Sequence, residues 1–525
     1  MMNDCADIKY PVGIQSFPKM IEEGFNYVDK TKYVYSLVRN GGYYFLSRPR
    51  RFGKSLLIST IEAYYQGRRD LFKGLALDSL TEEWEPHEIL HLDLNTGDFH
   101  NDESLNQYLD YILSGWEEQY GITKIAAMPS QRFGAVIKAA YERSGKKVVI
   151  LIDEYDKPML TAIDDEPLSD RFRAVMKSFY GNLKSQDNYI EFAMLTGVSR
   201  FSKVSIFSDL NNLRDISFEP MFSGICGINN EELDNYFRVG IECLAERYGK
   251  TYEQTRQELR RRYDGYHFCE TLEDIYNPFS IINVFSSLKY SNYWIASGTP
   301  SYVIKLLKKY HKPLHDIEGF KIKATKLATE GIMSKELIPT LYQSGYLTIK
   351  SYNERFDQYV LGYPNAEVEQ GFIEFLLPYY LGENRRDSEF NVEEFVYDIQ
   401  EGRPESFMKR VDSMLRGVPH LGKEDSHEHT FQNAIYLIFK MVGFYTQMED
   451  HTSDGWIDMV ITTGDFVYVF EFKVNKSSAE ALGQIQDKEY WKKFEASGRR
   501  IFLIGANYST ETKALDGIDI DIVTM

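Results

Sequence analysis

Ser47-Arg-Pro-Arg-Arg-Phe-Gly-Lys-Ser55 stands between the aromatic run Tyr43-Tyr-Phe-Leu46 and a helical run from Lys54 to Tyr65. Strand, basic turn and helix in that order form a setting in which backbone N–H groups and a helix N-terminus cradle phosphate, and the spacing follows G-x-x-x-x-G-K-[ST]. Arg48 occupies the place of the first glycine. Lys54 is placed to reach the β- and γ-phosphates of a nucleotide, and the Ser55 hydroxyl to coordinate Mg²⁺. Arg48, Arg50, Arg51, Phe52 and Gly53 complete the candidate nucleotide-binding loop. The plain alternative is a basic loop capped by a helix.

Working outward, Val148-Val-Ile-Leu-Ile-Asp-Glu154 is an apolar, β-branched run ending in two acids. Such a run predicts a strand buried on both faces. Its acidic end is suited to hold Mg²⁺ through water at Asp153 and to polarise an attacking water at Glu154. Phe192-Ala-Met-Leu-Thr-Gly-Val-Ser-Arg200 predicts a further strand, with Thr196 as a sensor of the γ-phosphate. Arg200 reads either as a charge stabiliser or as a structural salt bridge. Ile89 to Leu94 predicts another strand and 104–143 carries helical periodicity, so the first 200 residues or so alternate strands with helices and predict a parallel α/β sheet.

The chain has 525 residues, too many for one core, and predicts two to four domains. Its net charge of −18 argues against a nonspecific nucleic-acid coat protein but leaves room for a local basic groove. Cys5, Cys226, Cys243 and Cys269 are scattered, which predicts neither a zinc site nor a disulfide framework and suits a reducing cytoplasm. No signal peptide and no membrane-length apolar run is visible, so a soluble cytoplasmic protein is expected.

From about residue 228 the texture turns charged and helix-rich. Ser334 to Gly345 predicts a helix, and Tyr346–Ile349 and Tyr359–Leu361 two strands around a polar turn, in the manner of a winged helix or an accessory α+β domain. Residues 382–389 form a polar break, a candidate linker. The expected domains are 1–227, 228–382 and 383–525.

Near the end, Gly455-Trp-Ile-Asp-Met-Val-Ile461 and Asp465-Phe-Val-Tyr-Val-Phe-Glu-Phe-Lys-Val474 predict a hairpin that brings Asp458 to Glu471. Glu471 and Lys473 are two apart and share a strand face. Two carboxylates there suit Mg²⁺, a hard cation that takes oxygen ligands, and the lysine is placed to position a water and stabilise charge on a phosphoryl group. A helix at 479–496 and a strand at 500–504 follow. An E-x-K pair on a strand otherwise reads as a solvated face.

The chain resembles bacterial AAA-ATPase-like proteins whose C-terminus carries a PD-(D/E)XK nuclease-superfamily domain. The resemblance spans nearly the whole chain. It rests on Tyr10-Pro-Val-Gly13, Tyr27-Val-Asp-Lys30, the loop at 47–55, Asp153-Glu-Tyr-Asp-Lys-Pro158, Thr196-Gly-Val-Ser-Arg200, Tyr263-Asp-Gly-Tyr266, Tyr276-Asn-Pro-Phe-Ser280 and Tyr342-Gln-Ser-Gly-Tyr-Leu347. It implies an ATPase core, a helical or winged middle region and a small α/β nuclease-like end. It implies ATP and Mg²⁺ as cofactors and nucleic acid as the partner, and it leaves a homo-oligomer open. At the C-terminal site it adds Glu428 as a further metal ligand or orienting group, and Gln484 and Tyr490 on the following helix. Two other functions stay open: an ATP-dependent regulatory switch whose nuclease-like domain only binds, and a nucleic-acid scaffold with a degenerate loop.

Overall fold

The computed structural model describes residues 7–123, 127–200, 212–297, 303, 306–307, 310, 313–332, 335–381, 392–416, 425–453 and 456–523. It divides into two compact units, one made of Met1–Lys308 with Gly319–Val368 and the other of Lys309–Glu318 with Glu369–Met525. The polar break at 382–389 lies outside the described residues.

The first unit is built on a parallel sheet of β1 (Gly42–Ser47), β2 (Ile89–Asp93), β3 (Val148–Asp153), β4 (Ile190–Gly197) and β5 (Leu213–Asp215), in the order β2-β3-β4-β1-β5. Every residue of β3 is buried, as an apolar run covered on both faces requires. On one face, Leu105, Leu109 and Leu113 of the helix Asp102–Tyr120 meet Phe133, Val136 and Ile137 of Pro129–Ser144 and the sheet residues Leu90, Ile150 and Ile152. Because β4 lies between β1 and β3, the carboxyl ends of these strands open at a topological switch, the place where α/β sheets bind ligands.

The same unit contains a helical cluster formed by Arg238–Tyr248, Tyr252–Tyr263 and Pro278–Ser287, with Phe237, Ile241, Tyr263 and Phe285 at its centre. The helix Leu337–Ser344 is followed by the antiparallel hairpin Thr348–Asn353 and Gln358–Gly362, to which Lys321–Lys323 adds a third strand absent from the sequence reading.

In the second unit five strands run in the order 447–453, 456–462, 466–474, 500–509, 514–523. Only Phe466–Val474 and Arg500–Ser509 pair in parallel, and the helix Ser478–Lys488 with the 3₁₀ segment Tyr490–Ser497 makes their crossover. The expected helix at 479–496 is therefore two elements, broken at Glu489, whose φ of +52° takes the backbone out of the helix. The helix lies hard on the sheet at Gly505, where a Cβ would fall 2.4 Å from the Leu482 amide nitrogen and 2.5 Å from the Ser478 carbonyl oxygen. Cys226 and Cys269 are free and buried, whereas Cys243 is disulfide-bonded, which the scattered spacing did not predict. Among the described residues, no helix is long and apolar enough to cross a membrane.

Candidate functional site

The loop after β1 turns tightly into the helix Lys54–Tyr65, with Arg51 at φ +67° and Gly53 at φ +94°. Backbone in the left-handed region beside a helix N-terminus makes an anion-binding concavity. Lys54 is buried: its ammonium donates to the carbonyls of Arg48 (3.2 Å) and Pro49 (3.4 Å) and lies 3.4 Å from the Glu154 carboxylate.

Across the sheet, Asp153 ends β3. Its Oδ1 accepts from the Thr196 hydroxyl of β4 at 2.5 Å and from the Glu154 amide at 3.0 Å. Glu154 has φ +54°, a conformation uncommon outside glycine, and with it the chain leaves β3 with adjacent carboxylates given to different neighbours, Thr196 and Lys54. The sequence-selected Lys54, Asp153, Glu154 and Thr196 are thus brought together, and Ser55 lines the same cavity as Lys54 and Glu154.

Arg48 departs from its expected role. Its guanidinium is 1% exposed, donates to the carbonyls of Ser47 (2.9 Å), Ser217 (2.9 Å) and Phe222 (3.1 Å), and stacks on Phe268 at 4.0 Å. Its amide is bonded to the Gly197 carbonyl. Both donors of Arg48 are therefore directed into the protein rather than toward a phosphate. Arg200 keeps to its structural alternative: it pairs with Asp215, stacks on Phe218 at 4.2 Å, and its amide donates to Gln343. At Asp215 burial pushes the carboxyl up, but the Arg200 guanidinium outweighs it and holds the pKa below the ordinary value. Arg50 and Arg51 are exposed on the loop, and Phe52 is buried edge-on to Tyr266 and Phe268.

Asp156 was not singled out from sequence. It is fully buried, and its Oδ2 accepts from the Ser199 amide (2.6 Å), the Ser199 hydroxyl (2.5 Å) and the Val198 amide (3.2 Å), so it holds the segment after β4. Burial and the nearby Glu154 raise its pKa to about 6. Burial raises that of Asp93 too, with Asp153 next to it in register adding to the rise.

The loop opens into a cavity of about 410 Å³ whose other walls are Pro11, Ile14, Phe279, Ile282, Trp294 and Tyr346. The motifs Tyr10–Gly13, Tyr27–Lys30, Asp153–Pro158, Thr196–Arg200, Tyr276–Ser280 and Tyr342–Leu347 all reach it, and Trp294 reaches it with no motif to mark it.

The C-terminal constellation lies in the second unit. Glu471 is wholly buried, Lys473 sits 2.5 Å from it on the same strand face, and Lys473 also donates to Gln484 at 2.6 Å. Gln484 is carried there by the helix seated on Gly505, and Gly505 pairs with Glu471 across the parallel ladder. Asp458 stands opposite Glu471 in the antiparallel ladder. The side chains of Asp458, Glu428 and Tyr490 lie outside the described residues; the backbones belong to the strand Trp456–Thr462, the helix Asp425–Gly443 and the 3₁₀ segment Tyr490–Ser497.

Residues 11–207 match the family model AAA-ATPase-like, described as "Predicted AAA-ATPase", and residues 426–516 match the PD-(D/E)XK nuclease superfamily. A protein of Azotobacter chroococcum mcd 1, titled "Uncharacterized protein in vnfD 5'region", is 32% identical over 523 residues, which cover 98% of this chain and 99% of that one. The two matched regions hold, in order, the phosphate-loop site and the Glu471–Lys473 site. The chain belongs to the family of AAA-ATPase-like proteins that carry a C-terminal domain of the PD-(D/E)XK nuclease superfamily.

Proposed function

We propose that the chain binds and hydrolyses ATP with Mg²⁺ in its first unit, and that its second unit cuts phosphodiester bonds of nucleic acid. The observation that carries the first half is the meeting of Lys54, Glu154 and the Asp153–Thr196 pair, with Lys54 and Glu154 lining a cavity of about 410 Å³. The loop amides and Lys54 bind the phosphates. The apolar walls at Pro11, Ile14, Phe279 and Ile282 receive the base. Ser55 and Asp153 offer only oxygen donors, the set Mg²⁺ takes. Lys54 leaves Glu154 for the γ-phosphate, which frees that carboxylate to orient a water.

For the second half, Glu471 and Asp458 are the carboxylates that hold Mg²⁺, and their donor set again fits a hard cation. When bound, the metal neutralises phosphate charge and acidifies a water. Lys473, steadied by Gln484, holds that water or the developing negative charge. Asp458, Glu471, Lys473, Gln484, Tyr490 and Glu154 are thus the proposed catalytic residues, with Glu428 as a further metal ligand.

The test is Mg²⁺-dependent cleavage of labelled single- and double-stranded DNA and RNA, with and without ATP, beside Glu471→Ala and Lys54→Ala. Cleavage lost in Glu471→Ala and ATP hydrolysis lost in Lys54→Ala are expected. Hydrolysis of ATP with no cleavage of any substrate would replace the nuclease half with the regulatory-switch reading.

A further inference from the structure

Three aromatic holds shape the phosphate loop, and all come from residues far along the chain. Phe52 packs edge-on against Tyr266 and Phe268, Arg51 lies over the Phe279 ring at 4.1 Å, and the Trp294 indole N–H donates to the Arg50 carbonyl at 3.2 Å across 244 residues. The Trp294 bond differs from the others because it fixes a backbone group of the loop. A peptide unit is planar and trans, so its C=O and N–H point in opposite directions. Holding the Arg50 carbonyl on Trp294 turns the following amide, that of Arg51, toward the opposite side. Arg51 is one of the two left-handed residues of the loop, and Arg50, Arg51 and Trp294 line one cavity.

Trp294 is itself firmly seated. Its amide donates to Glu367 Oε1 at 2.7 Å, while Glu367 Oε2 accepts from the Ser280 hydroxyl at 2.7 Å. Its ring meets Tyr346 edge-on at 5.2 Å. Gly345 lets that ring and Pro49 of the loop approach, since a Cβ there would lie 2.9 Å from Pro49 Cβ and 3.2 Å from the indole.

We propose that Trp294 is a positioning residue for the phosphate loop, fixing the Arg50–Arg51 peptide so that the Arg51 amide faces bound phosphate. The assignment rests on the proposed nucleotide site and adds to it a residue that no motif marks. Trp294→Phe removes the donor and keeps the ring. Binding of MgATP and of pyrophosphate is measured by calorimetry, and binding of adenosine by competition against a fluorescent ATP analogue. A lost neutral hydrogen bond predicts roughly five- to tenfold weaker ATP and pyrophosphate binding, with adenosine unchanged and thermal stability nearly so. Unchanged ATP and pyrophosphate affinity overturns the assignment. Equal weakening of all three ligands also overturns it, because that is the mark of a general packing role. Trp294→Tyr, measured in the same way, is the second variant, and failure of both variants to fold would make Trp294 a core residue and likewise overturn it. If the parent protein does not bind ATP, or Lys54→Ala binds it equally well, the nucleotide site itself fails, an outcome distinct from the others.

Discussion

Glu367 links the acid–base chemistry of a buried carboxyl to the stability of the unit that carries the phosphate loop. Burial raises its pKa from 4.5 to about 7, against the Ser280 and Trp294 donors that favour the charged form. In the folded chain the carboxyl therefore keeps its proton up to about pH 7, while in the unfolded chain it releases it near 4.5. The folded state binds more protons between these values, so stability is fullest below about pH 4.5 and is lost as pH rises through about 7. At about 1.4 kcal/mol per pH unit the loss amounts to about 3–4 kcal/mol. For a unit of roughly 360 residues, unfolding with about 2.1 cal/mol/K per residue, that is about 4–5 °C in Tm. Glu367→Gln keeps an acceptor for the Trp294 amide and cannot ionise. Scanning calorimetry at pH 5, 6, 7 and 8 follows the transition that ATP shifts upward. The parent should lose about 3 °C more than Glu367→Gln over that range, part of the titration lying below pH 5. The same pH dependence in both proteins would refute the reasoning and mean that Ser280 and Trp294 hold Glu367 ionised.

Arg48→Gly restores the glycine of the general pattern yet should destabilise the protein by about 2–4 kcal/mol in urea unfolding, because the Ser217 and Phe222 carbonyls lose their donor; a more stable variant would contradict this. Gly505→Val should cost about 1–3 kcal/mol or more and separate Gln484 from Lys473, read as a lower unfolding temperature of the C-terminal unit and lost cleavage. Lys473→Ala removes the ammonium 2.5 Å from the buried Glu471 carboxylate and should destabilise by about 3–5 kcal/mol, whereas Lys473→Ala with Glu471→Ala together should be less destabilised than Lys473→Ala alone. A double variant that is worse than the single one would show that the pair is not coupled in this way.

The elements that announce themselves in sequence are those whose burial is set locally. Val148–Asp153 has apolar side chains on both faces, so its strand assignment needs no partner, and Lys54–Tyr65 begins where the helical run begins. The strands Gln447–Ser453 and Ala514–Val523 are absent from the sequence reading; both are edge strands, the first a polar run and the second interrupted by Gly517, and each pairs with one neighbouring strand. The same division runs through the sites. Lys54, Asp153, Glu154 and Thr196 sit at ends of predicted strands or helices, so topology alone brings them together. Sequence groups Arg48 with the phosphate-binding residues because it shows a position in a loop and not the direction of a side chain. Its partners lie 169 and 174 residues away, and no local pattern foretells them. Asp156 carries no local mark for the same reason, its bonds being to a segment 42 and 43 residues later.

Arg48 also has a bearing on when the protein becomes competent during its own synthesis. A chain released at residue 227 holds the loop at 47–55, the acidic end of β3 and Thr196, yet it lacks Phe268 beneath Arg48, Phe279 beneath Arg51 and Trp294 on the Arg50 carbonyl. The contacts that hold the loop from 266–294 can join it only once those residues have been synthesised, and contacts of such sequence separation form slowly. A fragment cut at the end of the motif-bearing region would keep the sequence signature without the shaped loop, so nucleotide affinity on the ribosome would report that the middle region has folded.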